Sequence, residues 1–202
     1  MYLTTITQFI AKSSVRHRHI CPRQVLGVRI GLTGASYLGF DVPCKDKQLL
    51  VILETDGCFA DGIEVVTGCT IGHRTMRVED YGKIAATFVD VKRGEAVRVA
   101  PNLDVRQRAY YFAPGEKRHY FAQMIAYQNM PEEELLDIQP VRLRVPIDKI
   151  ISRAGVLVKC SKCGEEIINE REISYDGTVQ CRACAGEGYY SYYSLEGVLE
   201  AR

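Results

Sequence analysis

The sequence has no long hydrophobic run, no internal repeat and almost no net charge. No stretch approaches the roughly 18 uninterrupted apolar residues of a membrane span, and the N-terminus lacks the basic start and the cleavage site of a signal peptide. We therefore expect a cytoplasmic protein without a membrane partner. The formal net charge of +1 also argues against a nucleic-acid binder that depends on a strong positive field.

The size and composition predict one main domain with a small appendage. The chain has 202 residues, of which 47% are hydrophobic, enough for a domain of about 150 residues with a sizeable core. We predict a main domain over 1–150, a linker near 148–155, and a small C-terminal domain over 156–202.

Eight cysteines in a chain of this kind point to metal or thiol chemistry and not to disulfides. The last four form two C-x2-C pairs, typical of a closed tetrahedral zinc site. Between the pairs, Asp176-Gly177 predicts a hairpin turn. An iron–sulfur centre uses similar ligands and is the alternative to zinc. The predicted structural zinc ligands are Cys160, Cys163, Cys181 and Cys184.

The role of this zinc finger is open at the level of sequence. Small zinc modules bind nucleic acid, bind protein, or stabilise a chain end. The tyrosine-rich stretch 188–197 could stack on bases, but packing on protein is the simpler interpretation.

Helical and strand patterns occur together in the main domain without strict alternation. Pro22 begins a predicted helix in which Gly27, Gly31 and Gly34 form a stripe, which indicates close packing against another element. The other predictions are strands at 48–56, within 83–101 around a turn at 92–95, and at 141–146, with helices at 58–68, 102–112, 116–128 and 131–139. This order favours an α+β fold with a mixed or antiparallel sheet packed with helices.

Cys21 and Cys58 both stand at the predicted start of a helix, where the helix dipole favours a thiolate. In an extended segment His17 and Cys21 would lie about 13 Å apart at ~3.3 Å per residue, too far to share one ion. His19 with Cys21 is therefore the better pair. Together with Cys58 and Asp61 they predict a cleft for a metal ion or a reactive thiol pair, whereas buried structural cysteines with a surface histidine pair are the alternative.

Three motifs in this order resemble the E-type subunit family of formylmethanofuran dehydrogenase: HRHICP at 17–22, ETDGCFADGIEVVTGCTIG at 54–72 and YGKIAATFVD at 81–90. The resemblance covers about residues 10–150. Some members of that family carry a C-terminal treble-clef zinc finger, and the tail is similar to one. Arg18 and Arg23 stand where the family usually shows glycine. These two arginines would either bind an anion in the cleft or be surface residues without a role.

The resemblance implies an α+β core, a homodimer, a methanogenesis-related role and other dehydrogenase subunits as partners. It also implies a second metal ion of unknown identity in the cleft. By motif position it assigns the cleft to His17, His19, Cys21, Cys58, Asp61 and Cys69. Of these, Cys69 rests on the resemblance alone.

The function implied is that of an accessory subunit or a stand-alone relative of the dehydrogenase. The chain shows no sign of the large domains that hold the molybdenum or tungsten pterin, so the pterin-bearing catalytic subunit is excluded. A protein-assembly module and a zinc-finger nucleic-acid-binding regulator, both without catalysis, are the alternatives.

Overall fold

A computed structural model of the chain describes residues 2–15, 19–151 and 153–191. The chain forms two compact units, one of residues 1–144 and one of residues 145–202, here called the core unit and the finger unit. The division falls between Arg144 and Val145, a few residues before the linker predicted at 148–155. In the described part of the chain, no helix combines the length and the apolar character needed to cross a membrane.

The core unit is a mixed sheet packed with helices, which confirms the predicted α+β class. Its helices are α1 (Tyr2–Ser14), α2 (Pro22–Tyr37), α3 (Cys58–Thr67), α4 (Val105–Arg108), α5 (His119–Asn129) and α6 (Glu132–Leu135), with a 3₁₀ turn at Ala109–Phe112. Its strands are β1 (Leu49–Leu53), β2 (Met76–Val78), β3 (Ala86–Asp90), β4 (Ala96–Pro101) and β5 (Leu136–Val141). The strand order is β2-β1-β3-β4-β5, in which β1 and β2 are parallel and the other neighbours are antiparallel.

The sheet confirms two sequence predictions closely. The unbroken apolar run of β1 is almost completely buried, as expected for a strand flanked on both edges and covered by helices. The hairpin of β3 and β4 turns where predicted, because the Asp90 carboxylate accepts the backbone N–H groups of Lys92 and Arg93, both at 2.8 Å.

The glycine stripe of α2 marks close packing, as predicted. A Cβ atom on Gly27 would lie 2.3 Å from the carbonyl oxygen of Phe59, and one on Gly62 would lie 2.5 Å from the carbonyl oxygen of Gln24. A Cβ atom on Gly31 would lie 3.2 Å from Cβ of Val66. Helices α2 and α3 therefore touch backbone to backbone, which only residues without a side chain allow.

The same contacts give the direction of the two helices. Gly27 of α2 meets Phe59 and Gly62, near the start of α3, and Gly31 meets Val66, one turn further along. Later residues of one helix contact later residues of the other. Helices α2 and α3 therefore run in the same direction, with their N-termini at the same end.

Helix α5 is anchored to α2 by a buried arginine. The Arg29 side chain is only 1% exposed, and its guanidinium donates to the carbonyl oxygens of Tyr127 at 2.8 Å and Met130 at 2.9 Å. These carbonyls lie at the C-terminal end of α5, where the negative end of the helix dipole favours a cation. The fully buried guanidinium thus satisfies acceptors that the helix leaves open.

Two sequence predictions in the core unit are wrong in position. The stretch 131–139 is helical only over the acidic turn of α6 and then continues as β5. The strand predicted at 141–146 accordingly begins at Leu136. Pairing with β4 along the whole of β5 outweighs the helical preference of the glutamate-rich stretch. Neither α1 nor β2 was predicted.

The finger unit consists of one short helix and two hairpins. Its elements are α7 (Ile147–Ile151), β6 (Leu157–Lys159), β7 (Glu166–Ile168), β8 (Ile173–Tyr175), β9 (Thr178–Gln180) and a π-helical turn at Ala183–Glu187. The β8–β9 turn confirms the prediction, since Asp176 and Gly177 both have positive φ, 48° and 74°. The Arg171 guanidinium donates to the carbonyls of Lys149 and Ile150 at 3.2 and 2.9 Å, which holds α7 within this unit.

Candidate metal centres

The four cysteines of the tail meet in one cluster in the finger unit. Their Sγ atoms all lie within 4.8 Å of one another, and the Sγ atoms of Cys163 and Cys181 are 4.0 Å apart. Sulfur atoms at ~2.3 Å from a tetrahedral zinc ion stand about 3.8 Å apart. The cluster therefore has nearly the size that a zinc ion requires.

Backbone amides hold one sulfur of this cluster ready to ionise. The N–H groups of Cys163 and Cys181 hydrogen-bond to the Cys160 sulfur and lower the pKa of that thiol to about 6. Hydrogen bonding to Cys181, together with burial, raises the pKa of Cys184 to about 12. Four thiolates at these distances repel one another unless a cation lies between them, so the donor set fits Zn²⁺.

In the core unit, Cys21 is fixed by the start of α2. It is the N-cap residue, as predicted from Pro22, with φ −129° and ψ 158°. Its sulfur accepts the backbone N–H of Gln24 at 3.4 Å, and the Gln24 side chain accepts the backbone N–H of Cys21 at 2.9 Å. This reciprocal pair is a capping box with a thiol in place of the usual hydroxyl. The direction of the Cys21 side chain is therefore set by the helix backbone.

Cys58 lies beside Cys21 because α2 and α3 start at the same end. It is the first residue of α3, and Gly57 before it has a φ of 79°. Burial, followed by a hydrogen bond to Cys21 and the charge of that residue, raises the pKa of the Cys58 thiol. The structure thus brings two thiols together at the positive ends of two helix dipoles.

Two further side chains border this thiol pair. Asp61, in the first turn of α3, adds a negative charge that contributes to the raised pKa of Cys58. Tyr120, the second residue of α5, donates its hydroxyl to the carbonyl of Ile20 at 3.1 Å. Burial raises the pKa of the Tyr120 phenol, and the charges of Cys21 and Cys58 raise it further. No sequence signal pointed to Tyr120, which lies 100 residues from Ile20 and meets it only through the fold.

The remaining residues assigned to the cleft are His17, His19 and Cys69. His19 is exposed in the segment just before Cys21, and His17 lies outside the described residues. Cys69 follows the C-terminal cap of α3, whose ten residues span about 15 Å from Cys58. Cys69 is buried and donates to the carbonyl of Leu49 at 3.4 Å. Burial raises the pKa of nearby Cys44, and the charge of Cys69 raises it further.

The core unit therefore holds two separate thiol pairs, Cys21 with Cys58 and Cys44 with Cys69, at opposite ends of α3. Within residues 2–15, 19–151 and 153–191, the tail cluster is the one group of three or more His, Cys, Asp or Glu ligands close enough to share an ion. Among the described residues of the core unit, the thiols of Cys21 and Cys58 thus lie together without a third His, Cys, Asp or Glu ligand close enough to share an ion with them.

This geometry defines a class of protein with two units. One unit is an α+β core with a thiol pair at two helix starts, and the other is a C4 zinc finger. Residues 16–137 match the family described as FmdE, Molybdenum formylmethanofuran dehydrogenase operon. Residues 153–190 match the prokaryotic dksA/traR C4-type zinc finger. The chain belongs to the FmdE family, as its sequence motifs suggested, and it carries a zinc finger of the C4 type.

Two known proteins are similar over most of the chain. A probable S-adenosyl-L-methionine-binding protein of Archaeoglobus fulgidus is 30% identical over 213 residues, covering 95% of this chain and 55% of the relative. The chain thus spans about half the length of that curated relative. The FmdE-like protein of Syntrophus aciditrophicus, named for a tungsten formylmethanofuran dehydrogenase, matches with a TM-score of 0.60 and 19% identity, covering 92% of this chain and 95% of that one. This likeness concerns the fold.

Proposed function

We propose that the core unit binds a second metal ion, distinct from that of the finger, through the thiolates of Cys21 and Cys58 with His19 as a further ligand. The observation that carries this proposal is the parallel course of α2 and α3, which places both thiols at the positive ends of two helices. The family motif adds His17 to the same ligand set.

The surroundings of the pair suit a metal ion with a free coordination position. Two thiolates and one or two imidazoles leave room for water or a substrate atom, whereas a closed C4 site does not. Metal bound there would act as a Lewis acid. Asp61 offers a carboxylate and Tyr120 a phenol beside it. We propose on these grounds a stand-alone or accessory role in metal-assisted chemistry, with the finger as a treble-clef-like structural module.

Metal content of the whole chain tests the proposal. We expect two metal ions per chain in the wild-type protein and one in the Cys21→Ser/Cys58→Ser variant, measured by elemental analysis after purification without chelators. Reconstitution with Co²⁺ gives a second readout, because thiolate-to-cobalt absorption reports how many sulfurs bind each ion. The double variant should lose only the bands of the site with two sulfurs.

The matched control is Cys44→Ser, which removes a thiol of the same unit from the other pair. It should leave the metal content at two per chain. A wild-type content of one that the Cys21→Ser/Cys58→Ser change does not alter would refute the cleft metal and favour the protein-assembly alternative. Steeply salt-dependent binding of the chain to DNA or RNA would instead favour the other alternative, a zinc-finger nucleic-acid-binding regulator. Light scattering of the same samples tests the expected homodimer.

Binding of S-adenosyl-L-methionine, which the name of the Archaeoglobus relative states for that protein, is less well supported for this chain. A cleft in the core unit is lined by four cationic side chains, Lys83, Arg98, Arg106 and Arg108, and by the carboxylates of Asp104 and Asp137. Two of these cations are already paired with Glu54 and Glu134, so the charge of this cleft neither favours nor opposes such a ligand. The thiol pair therefore remains the observation on which the proposed function of this unit rests.

A further inference from the structure

A cleft of about 790 Å³ opens in the core unit at a place that the metal chemistry does not use. It is bordered by the segment leading into β3, by the end of β4 with the loop after it, and by α5. Its described lining contains no cysteine or histidine. Its volume lies in the range of about 300–1,000 Å³ that is typical of small-molecule sites.

Two of the four cations that line the cleft have no ion-pair partner within the part of the chain that the structure describes. Arg98 is held by the buried carboxylate of Glu54 through two hydrogen bonds of 2.6 and 2.7 Å, and Arg108 is paired with Glu134. Lys83 and Arg106 also line the cleft, are exposed, and have no carboxylate partner among the described residues. Two cations at the surface of the cleft are therefore available to an anion.

The hydroxyl of one lining tyrosine also has no hydrogen-bond partner among the described residues. Tyr127 is 1% exposed, and its hydroxyl makes no hydrogen bond to any residue that the structure describes. Burial raises the pKa of this phenol to about 12, and the positive charge of Arg106 opposes the shift, which places the guanidinium near the ring. The hydroxyl is not one of the buried polar atoms left without a partner among the described residues, so it reaches the surface of the cleft, where a ligand oxygen can accept its hydrogen bond.

The remaining lining supplies two other kinds of group. Leu26, Val105 and Ala85 are buried apolar residues that offer a surface to a flat, weakly polar body. Asp104 and Asp137 offer carboxylate oxygens, which accept hydrogen bonds from hydroxyl groups. Cations, carboxylates and an apolar surface in one cleft match the phosphates, the sugar hydroxyls and the base of a nucleotide.

We propose that this cleft binds a nucleoside phosphate, with the phosphates at Lys83 and Arg106, an acceptor oxygen on the Tyr127 hydroxyl, and the base against Leu26 and Val105. The site is separate from the thiol pair, so it stands whether or not Cys21 and Cys58 hold a metal ion.

Calorimetric titration of the zinc-saturated full chain with ATP, and with adenosine as the uncharged counterpart, tests the proposal. We expect ATP to bind in a 1:1 ratio, adenosine to bind at least ten-fold more weakly, and the ATP affinity to fall as salt rises. The Lys83→Gln/Arg106→Gln variant should weaken ATP binding at least ten-fold. The Tyr127→Phe variant should weaken it several-fold, since it removes only the hydroxyl.

The matched control is Lys47→Gln/Lys92→Gln, which removes two exposed cations of the core unit outside the cleft and should leave the ATP affinity unchanged. Circular dichroism confirms that each variant is folded. Absence of ATP binding to the wild type, equal affinity for ATP and adenosine, or an unchanged affinity in Lys83→Gln/Arg106→Gln would each overturn the proposal.

Discussion

Single residues of the core unit show how the same side chain acquires different properties from its surroundings. Cys21 and Cys58 stand at helix starts, where backbone N–H groups and two helix dipoles face the sulfur atoms. Cys44 and Cys69 instead lie near carbonyl oxygens and carboxylates, Cys44 donating to the carbonyl of Asp41 at 3.4 Å. The first pair faces two helix N-termini, although burial and the neighbouring Cys21 sulfur raise the pKa of Cys58. In the second pair, burial together with nearby carboxylates raises the pKa of both thiols.

Cys44 should therefore react slowly with iodoacetamide. Burial, with the charges of Cys69, Asp46 and Asp41, raises its pKa to about 11. At pH 8 only about 0.1% of the thiol is ionised, against about a quarter for an ordinary cysteine. Because the pKa in the folded protein is raised, the rate should increase about ten-fold per pH unit until pH reaches about 11. Peptide mass spectrometry of the zinc-saturated protein measures the rate at which iodoacetamide alkylates Cys44. An alkylation rate at pH 8 equal to that of N-acetylcysteine would contradict the expectation.

Replacing Arg29 by methionine should destabilise the core unit by about 2–5 kcal/mol. Methionine fills similar space but donates no hydrogen bond, so the carbonyls of Tyr127 and Met130 lose their buried donor. Urea denaturation followed by circular dichroism measures the loss. The control is Arg23→Met on the exposed face of the same helix, which should change stability by less than about 0.5 kcal/mol. Equal effects of the two changes would refute this role of Arg29.

At the scale of secondary-structure elements, the contact between α2 and α3 depends on the absence of side chains. Gly27→Ala should cost about 1–3 kcal/mol, because the new methyl group would lie 2.3 Å from a backbone oxygen of α3 that cannot turn away. Gly31→Ala should cost less, since the nearest atom, Cβ of Val66 at 3.2 Å, has to give way by only a few tenths of an ångström. Urea denaturation compares both with the wild type.

Gly72→Ala is the control for these variants, since a Cβ atom there meets nothing within 4 Å. It should have almost no effect on stability. If Gly27→Ala were as stable as Gly72→Ala, the two helices would have to be further apart than the structure places them.

Elements with strong local signals could be predicted, and those decided by distant partners could not. Pro22 gave the start of α2, Gly68 with a φ of 72° the end of α3, and Asp176-Gly177 the finger hairpin, because each depends on neighbouring residues alone. Strand β5 depends on pairing with β4, and its local composition favoured a helix. The approach of Tyr120 to the thiol pair depends on how α5 packs, which no spacing in the sequence encodes.

At the scale of the whole molecule, removal of zinc should unfold the finger unit and leave the core unit folded. The finger unit has few buried apolar residues, Cys160 and Ile167 among those described, so metal binding supplies most of its stability. We expect a strong chelator to abolish hydrogen-exchange protection of β6 to β9. Strands β1 and β3, buried within the core unit, should keep theirs.

Hydrogen-exchange mass spectrometry of the full chain with and without chelator makes this comparison within one sample. Readdition of zinc should restore the protection of the finger strands. Finger amides that stay protected in chelator would show that packing and not metal holds this unit.

The division into a larger core and a small finger could be anticipated from length and from the grouping of the cysteines. The large cleft could not, because its lining comes from segments far apart in the chain that carry no shared motif. The same holds for the separation of Cys69 from Cys58, which follows from the length of α3 and not from the nearness of the two residues in the family motif.

The bare contact of Gly27 with Gly62 has a consequence for any ion held by Cys21 and Cys58. Both glycines lie within two turns of the helix starts, so they keep the N-terminal ends of α2 and α3, which carry the two sulfur atoms, as close together as two helices can lie. A single methyl group at either position would increase the distance between these two helix ends. A widened gap would suit Cd²⁺ better than the smaller Zn²⁺, so the choice of ion would be governed by residues that supply no donor atom.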